Sequence, residues 1–287
     1  RMDFIMKTLR YRIGNEVKPG ILDQEGNIRD VSSLVKDWDN KNVTINKLNE
    51  VKKVDPASLP LVENSDGYAP CVCKESIGKF ICIGLNYSDH AEETGAKVPP
   101  EPIIFAKATS AVIGPNDNVE IPKKSVKSDW EVELGVIIGK EAKYISESES
   151  QSHIAGYCVI NDLSEREFQI EHSGQWVKGK SCDTFGPIGP YLVTTDEVPD
   201  PQNLKMWLDV NGKRMQDGST STMVYGVNFL ISYLSQFMSL QPGDIISTGT
   251  PPGVGMGMKP QVFLKAGDVM KLGIEGLGEQ TQKTIQA

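Results

Sequence analysis

The chain has 287 residues, a formal charge of −8, a pI near 5.1 and five cysteines. That length buries a sizeable core without staples, and the odd set of cysteines, with only Cys71 and Cys73 close together in a spacing that suits neither a zinc knuckle nor a thioredoxin-type site, reads as reduced thiols of a cytoplasmic protein. The acidic balance argues against a nucleic-acid surface, and the longest apolar runs, Phe80 to Leu85 and Val227 to Leu234, fall well short of the roughly 18 residues of a membrane helix.

In chain order, residues 7 to about 60 read as short strands and turns. Gly20-Ile-Leu-Asp, a Gln-Glu-Gly turn and Asn27-Ile-Arg-Asp-Val-Ser predict a hairpin. A polar segment from Asp37 to Leu61 carries an amphipathic patch at Ile45 and Leu48, and a domain boundary falls near residue 70. Phe80 to Leu85 is a strand, followed by a capped helical turn that stops at Gly95. His90 and Glu93, three apart, share a face of that turn, so the carboxylate can fix one imidazole tautomer and the pair can act as a general base on water. The same spacing also suits an ordinary charged surface helix. A proline-rich loop from Val98 to Pro102 leads into the strand Ile103 to Lys107, where Lys107 either lines a site or faces solvent.

The strand Asp129-Trp-Glu-Val-Glu-Leu-Gly-Val-Ile-Ile-Gly139 places Glu131 and Glu133 on one face of an otherwise apolar run. Two carboxylates there repel each other unless the strand is half exposed or a hard cation keeps both ionised. A polar, Ser- and Glu-rich helical stretch follows, then the buried strand Gly156-Tyr-Cys-Val-Ile-Asn-Asp162, whose terminal acid is either a helix cap or a third ligand. Arg166 and Gln169 fall one turn apart on the next helix. Trp176 to Pro190 is a Gly/Pro-dense loop containing Lys180. Asn211-Gly212 marks a type I′ hairpin between Leu204 to Val210 and Lys213 to Gln216. Val224, Val227, Leu230, Ile231, Leu234, Phe237 and Met238 predict a helix whose stripe is core. Ile245 to Thr250 is a strand, and Thr248 to Met258 is a loop whose glycines allow close approach to a ligand.

Five blocks in register carry a resemblance that no single block does. Gly84-Leu-Asn-Tyr-Ser-Asp-His-Ala-Glu-Glu-Thr-Gly, Asp129 to Lys140, Gly156-Tyr-Cys-Val-Ile-Asn-Asp-Leu-Ser-Glu-Arg-Glu, Gly179 to Pro190 and Gly243-Asp-Ile-Ile-Ser-Thr-Gly-Thr-Pro resemble, in order and spacing over residues 75 to 275, the fumarylacetoacetate hydrolase family. The resemblance implies an α+β, β-rich fold, with a mixed β-roll catalytic domain over 71–287, a small N-terminal domain over 1–70, and a homodimer. It implies a Mg²⁺ or Mn²⁺ site at Glu131, Glu133 and Asp162, a water-activating dyad of His90 and Glu93, an oxyanion-stabilising Lys180, and substrate contacts from Arg166, Gln169, Thr250 and Lys107. The implied activity is hydrolysis of a C–C bond in a small 2,4-diketo acid, an acylpyruvate or a diketo-deoxy sugar acid. The family also contains isomerases of 2-hydroxyhepta-2,4-diene-1,7-dioate type and oxaloacetate decarboxylases. A metal-dependent binding protein that has lost turnover is the remaining reading.

Overall fold

The structure, a computed structural model, describes residues 3–287. The fold is α+β and strand-rich, organised by two sheets. The larger has nine strands in the spatial order Ile28–Asp30, Glu16–Leu22, Lys7–Ile13, Leu192–Thr194, Ile154–Asn161, Val132–Ile138, Ile245–Ser247, Phe80–Gly84 and Ile103–Ala106. The smaller runs Lys213–Ser219, Lys205–Val210, Val269–Ile274, Gly278–Gln286 and Val119–Ile121.

The acidic strand Val132–Ile138 lies near the middle of the larger sheet, and all seven of its residues are buried. It pairs antiparallel with Ile154–Asn161 on one side, in a register that sets Glu133 opposite Ile160 and Val132 opposite Asn161. On the other side it pairs antiparallel with Ile245–Ser247, which in turn runs parallel to Phe80–Gly84. Strand alternation then divides its side chains. Val132, Leu134, Val136 and Ile138 join a core with Met206, Leu208, Met270 and Leu272 of the smaller sheet and Leu230 and Ile231 of the helix Val227–Leu234. Ile137, on the face of Glu131 and Glu133, belongs to a second cluster with Cys82, Cys158, Ile160 and Ile245, roofed by Trp38, Val43, Leu48 and Val51.

The N-terminal segment therefore covers the sheet's far face. Its predicted hairpin pairs Glu16–Leu22 with Ile28–Asp30, and its first strand, Lys7–Ile13, zips onto Leu192–Thr194 in the larger sheet. The amphipathic patch at Ile45 and Leu48 forms the helix Ile45–Val51, N-capped by the Thr44 hydroxyl. The Asn-Gly hairpin is present, with Asn211 and Gly212 both at positive φ, 52° and 79°.

Three local expectations differ from what is seen. The apolar stripe from Val224 to Met238 yields a helix only over Val227–Leu234, and Phe237 is 61% exposed because the chain tightens into i→i−3 bonds at Gln236 and Phe237. The loop holding Lys180 contains a one-turn helix, Val177–Lys180. Arg166 and Gln169 sit at a π-helical turn, Glu167–Glu171, whose wider winding turns both inward.

Candidate active site

The site forms where three strands end together. Glu131 and Glu133 lie at the start of the acidic strand, and Asp162 follows directly on its neighbour Ile154–Asn161. Each offers an oxygen within 4.8 Å of the others, and all three residues are buried. Glu133 is fixed at one oxygen, which accepts from Ser247 Oγ at 2.7 Å and Gly249 N at 2.9 Å. The Glu131 backbone N–H donates to Asn161 Oδ1.

Three cations meet this cluster. Lys180 Nζ donates to Glu131 Oε1 at 3.1 Å, Asp162 Oδ2 at 3.1 Å and Ser164 Oγ at 2.6 Å, which uses all three of its protons. Arg166 donates through Nε to Asp129 Oδ2, through Nη1 to Gln169 Oε1 and through Nη2 to Glu131 Oε2, at 2.9, 3.0 and 2.9 Å. Lys107 is not at the cavity wall. Its ammonium lies behind Asp162, 2.7 Å from Oδ1, and donates to the carbonyls of Leu163 and Lys180. This buried oxygen therefore has an ion-pair neighbour and makes no hydrogen bond.

The charges set the protonation. Burial alone would raise the Glu131 carboxyl, but Lys180 and Arg166 beside it outweigh burial and hold it well below the ordinary range. Glu133 has no such partner at close range. Burial and then the neighbouring Asp162 and Glu131 push its carboxyl well above the ordinary value. Burial disfavours the Lys180 ammonium, yet Asp162 and Glu131 keep it charged. A triad of buried carboxylates with one carboxyl driven to keep its proton fits a hard divalent cation, which takes oxygen ligands and relieves that strain.

The dyad comes from the helix Ser88–Thr94, which ends in the left-handed Gly95. His90 Nδ1 is 3.0 Å from Glu93 Oε2, which leaves Nε2 as the ring nitrogen available for other chemistry. Glu93 Oε1 in turn accepts from the N–H of Gly253 at 2.8 Å. Gly253 has φ 109°, and a Cβ there would strike the Met215 carbonyl at 1.9 Å, so only glycine brings this amide to Glu93. The next residues of the same loop, Gly255 and Met256, donate their N–H groups to Asp129. The loop expected to approach a ligand thus grips both the dyad and the acid that aims Arg166.

His90, Glu131, Glu133, Arg166, Gln169, Lys180 and Thr250 all open onto one cavity of about 210 Å³. Its remaining wall is apolar, with Ile83, Phe105, Ile170 and Trp176. The Phe105 ring lies 5.1 Å from the Trp176 ring at a 62° tilt, and Lys180 Nζ is 5.0 Å from the Phe105 centroid. Thr250 Oγ1 is held between Val132 O and Gln216 Nε2. Sequence reasoning missed Asp129, Ser164, Gln216, Phe105 and Trp176 as site residues. Asp129 and Ser164 stand inside the quoted blocks, but nothing local says what they touch.

Among the described residues no helix is long and apolar enough to cross a membrane. The family model described as fumarylacetoacetate (FAA) hydrolase C-terminal matches residues 79–285. A protein of Burkholderia lata named as a hydrolase is 58% identical over 98% of this chain and 100% of its own length. Among solved structures, the fumarylacetoacetate hydrolase of the psychrophile Exiguobacterium antarcticum superposes with a TM-score of 0.88 at 33% identity, covering 98% of this chain and 100% of that one. The 2-hydroxyhepta-2,4-diene-1,7-dioate isomerase of Mycobacterium marinum does so with a TM-score of 0.74 at 28% identity, covering 98% of each.

Proposed function

The chain belongs to the fumarylacetoacetate hydrolase family, and from that premise we propose that it is a metal-dependent hydrolase cleaving a C–C bond in a 2,4-diketo acid, of acylpyruvate or 2,4-diketo-3-deoxy sugar acid type. The observation that carries this reading is that Glu131 and Glu133 of the carboxylate cluster open, with the His90 ring, onto one cavity, and Asp162 lies against them.

Glu131, Glu133 and Asp162 would hold Mg²⁺ or Mn²⁺, which when bound supplies a Lewis acid for the carboxylate and neighbouring oxo group of the substrate. His90, with Nδ1 engaged by Glu93, takes a proton from water at Nε2, and Glu93 steadies the resulting charge. The water oxygen adds to the distal carbonyl, the bond from that carbon to C3 breaks, and the electron pair remains on the pyruvate fragment, which gains a proton. Lys180 steadies negative charge on oxygen once it exchanges one of its carboxylate partners. Gln169 spends Oε1 on Arg166 and keeps its amide N–H groups for a substrate oxygen. We further propose a cytoplasmic homodimer, the compartment on the five free cysteines and the dimer on the family resemblance.

The isomerase and decarboxylase chemistries need no attacking water, so the ordered His90–Glu93 pair favours hydrolysis. The test is pyruvate release from acylpyruvates, diketo-deoxy sugar acids and oxaloacetate, with Mg²⁺ or Mn²⁺, with chelator, and with His90→Ala. Hydrolysis of a diketo acid should require metal and fall ~10²–10⁴-fold in His90→Ala. Full turnover in that variant would end the dyad's role, and oxaloacetate turnover that survives it would make this a decarboxylase.

A further inference from the structure

We propose that the acyl substituent of the substrate is small and uncharged. This deepens the diketo acid reading and rests on it.

The inference comes from how the cavity's cations are already spent. Two fixed cations line it, Arg166 and Lys180. Every Lys180 proton is given to Glu131, Asp162 or Ser164, the one it exchanges during turnover goes to the oxyanion at the reacting carbonyl, and each Arg166 nitrogen donates to Asp129, Gln169 or Glu131. In charge, the carboxylates of Glu93, Asp129, Glu131, Glu133 and Asp162 outnumber Lys107, Arg166 and Lys180 by two, the deficit that one divalent cation makes good. A cation held there would serve the carboxylate and oxo group at one end of a substrate as a Lewis acid, and the cluster as a whole would then be neutral. Nothing comparable is left for an anion at the other end.

The wall that would receive that other end is apolar and closely built. Trp176 leans on Phe105, and it reaches the cavity over Gly84, where a Cβ would stand 2.6 Å from its ring. Ile83, Leu85, Ile170 and Met256 continue the wall, and the hydroxyl of Thr94, its polar member, is spent on the carbonyls of His90 and Ala91. A carboxylate placed there would lose water without gaining a cation, a cost that neutral groups escape. The volume, about 210 Å³, is also below the roughly 300–1,000 Å³ of pockets for drug-sized ligands. The Gln169 amide, neutral, offers a hydrogen bond to a carbonyl or hydroxyl without selecting for charge. Lys259, exposed, lines a neighbouring groove that shares Thr94 and Met256 with the cavity, so an anion would have to pass those side chains to meet it.

The test compares 2-oxohexanoate with 2-oxoadipate, two six-carbon oxo acids that differ in the terminal carboxylate, by titration calorimetry of the wild-type protein in Mg²⁺. 2-Oxohexanoate should bind at least about tenfold more tightly, the order of a single uncompensated interaction. Ile170→Arg, at a cavity residue that is 47% exposed and so tolerant of change, should bring the two acids to near parity by adding the missing charge. Equal or tighter binding of 2-oxoadipate to wild type would overturn the inference while leaving the diketo acid reading standing, and its reversal by Lys259→Met would locate the anion in the outer groove. An unchanged ratio in Ile170→Arg would likewise overturn it. If neither acid binds, the diketo acid reading itself falls, and the inference with it.

Discussion

The two faces of the acidic strand solve the same burial problem by opposite means. Val132, Leu134, Val136 and Ile138 are fully buried against the smaller sheet and are held by packing alone. Each such side chain contributes about 1.5–3 kcal/mol on removal from water. On the other face Glu131 and Glu133 are almost as deeply buried, at 6% and 1% exposure, Glu131 held by the charges of Lys180 and Arg166 and Glu133 by hydrogen bonds from Ser247 and Gly249. Buried ion clusters of this kind rarely add net stability. The contrast separates a face that stabilises the fold from a face that the fold sustains for chemistry, although the two are a single peptide unit apart.

Substitutions on the two faces should therefore fail in different assays. The largest effect is expected for Asp162→Ala, which removes an oxygen of the proposed ligand set and leaves Lys107 and Lys180 without the carboxylate between them. Turnover should drop by about a thousandfold, the several kcal/mol of charge stabilisation that a cation supplies, and ion binding by calorimetry should drop with it. On the opposite face, Leu134→Ala should cost about 2–5 kcal/mol of stability in urea titration, while kcat per folded molecule stays within about twofold. Comparable loss of kcat there would mean that the faces are coupled. Lys107→Met tests the layer beneath the site. It should weaken Mn²⁺ binding ~10–100-fold, as loss of a residue that orients a ligand does, with ordinary binding recovered in Lys107→Arg. A role in stability alone would instead lower the unfolding midpoint with ion affinity unchanged.

The smallest effect concerns pH. Glu133's carboxyl stands above its ordinary value because of burial and the nearby Asp162 and Glu131, so the folded protein in chelator holds a proton that the unfolded chain releases near pH ~4.3. Its contribution to stability is complete below that pH and is lost as pH rises toward the raised native value, by up to about 1.4 kcal/mol per pH unit. Mg²⁺ should flatten this slope and expel the proton, visible as a binding enthalpy that depends on the buffer's heat of ionisation. A slope unchanged by Mg²⁺ would remove Glu133 from the ligand set.

What the sequence disclosed was whatever depends on near neighbours. The acids in an apolar run, the three-residue step from His90 to Glu93 and the Asn211-Gly212 turn are local patterns with local physics, and each lies where the spacing put it. The support of these residues was not legible, because it comes from far along the chain. Gly253 reaches Glu93 across 160 positions, and Gly255 reaches Asp129 across 126. For Lys107 the sequence left a cavity wall and solvent both open and the resemblance implied a substrate contact, and only the packing of residues 162–180 decides that it lies beneath Asp162. The apolar stripe misled at Phe237 for the converse reason. Helical periodicity continues in the sequence after the backbone has already turned at Leu234.

The place of Ile245–Ser247 between the acidic strand and Phe80–Gly84 has a bearing on biosynthesis. As the chain leaves the ribosome, the three carboxylates and the His90–Glu93 pair are all present by residue 162, but the strand that joins their two parts of the sheet has yet to be made. Domains emerge N-terminal end first at about 5–20 residues per second, so translation runs for several seconds with these carboxylates and the dyad made but not brought together. A nascent chain stalled before Ser247 therefore cannot form the native site.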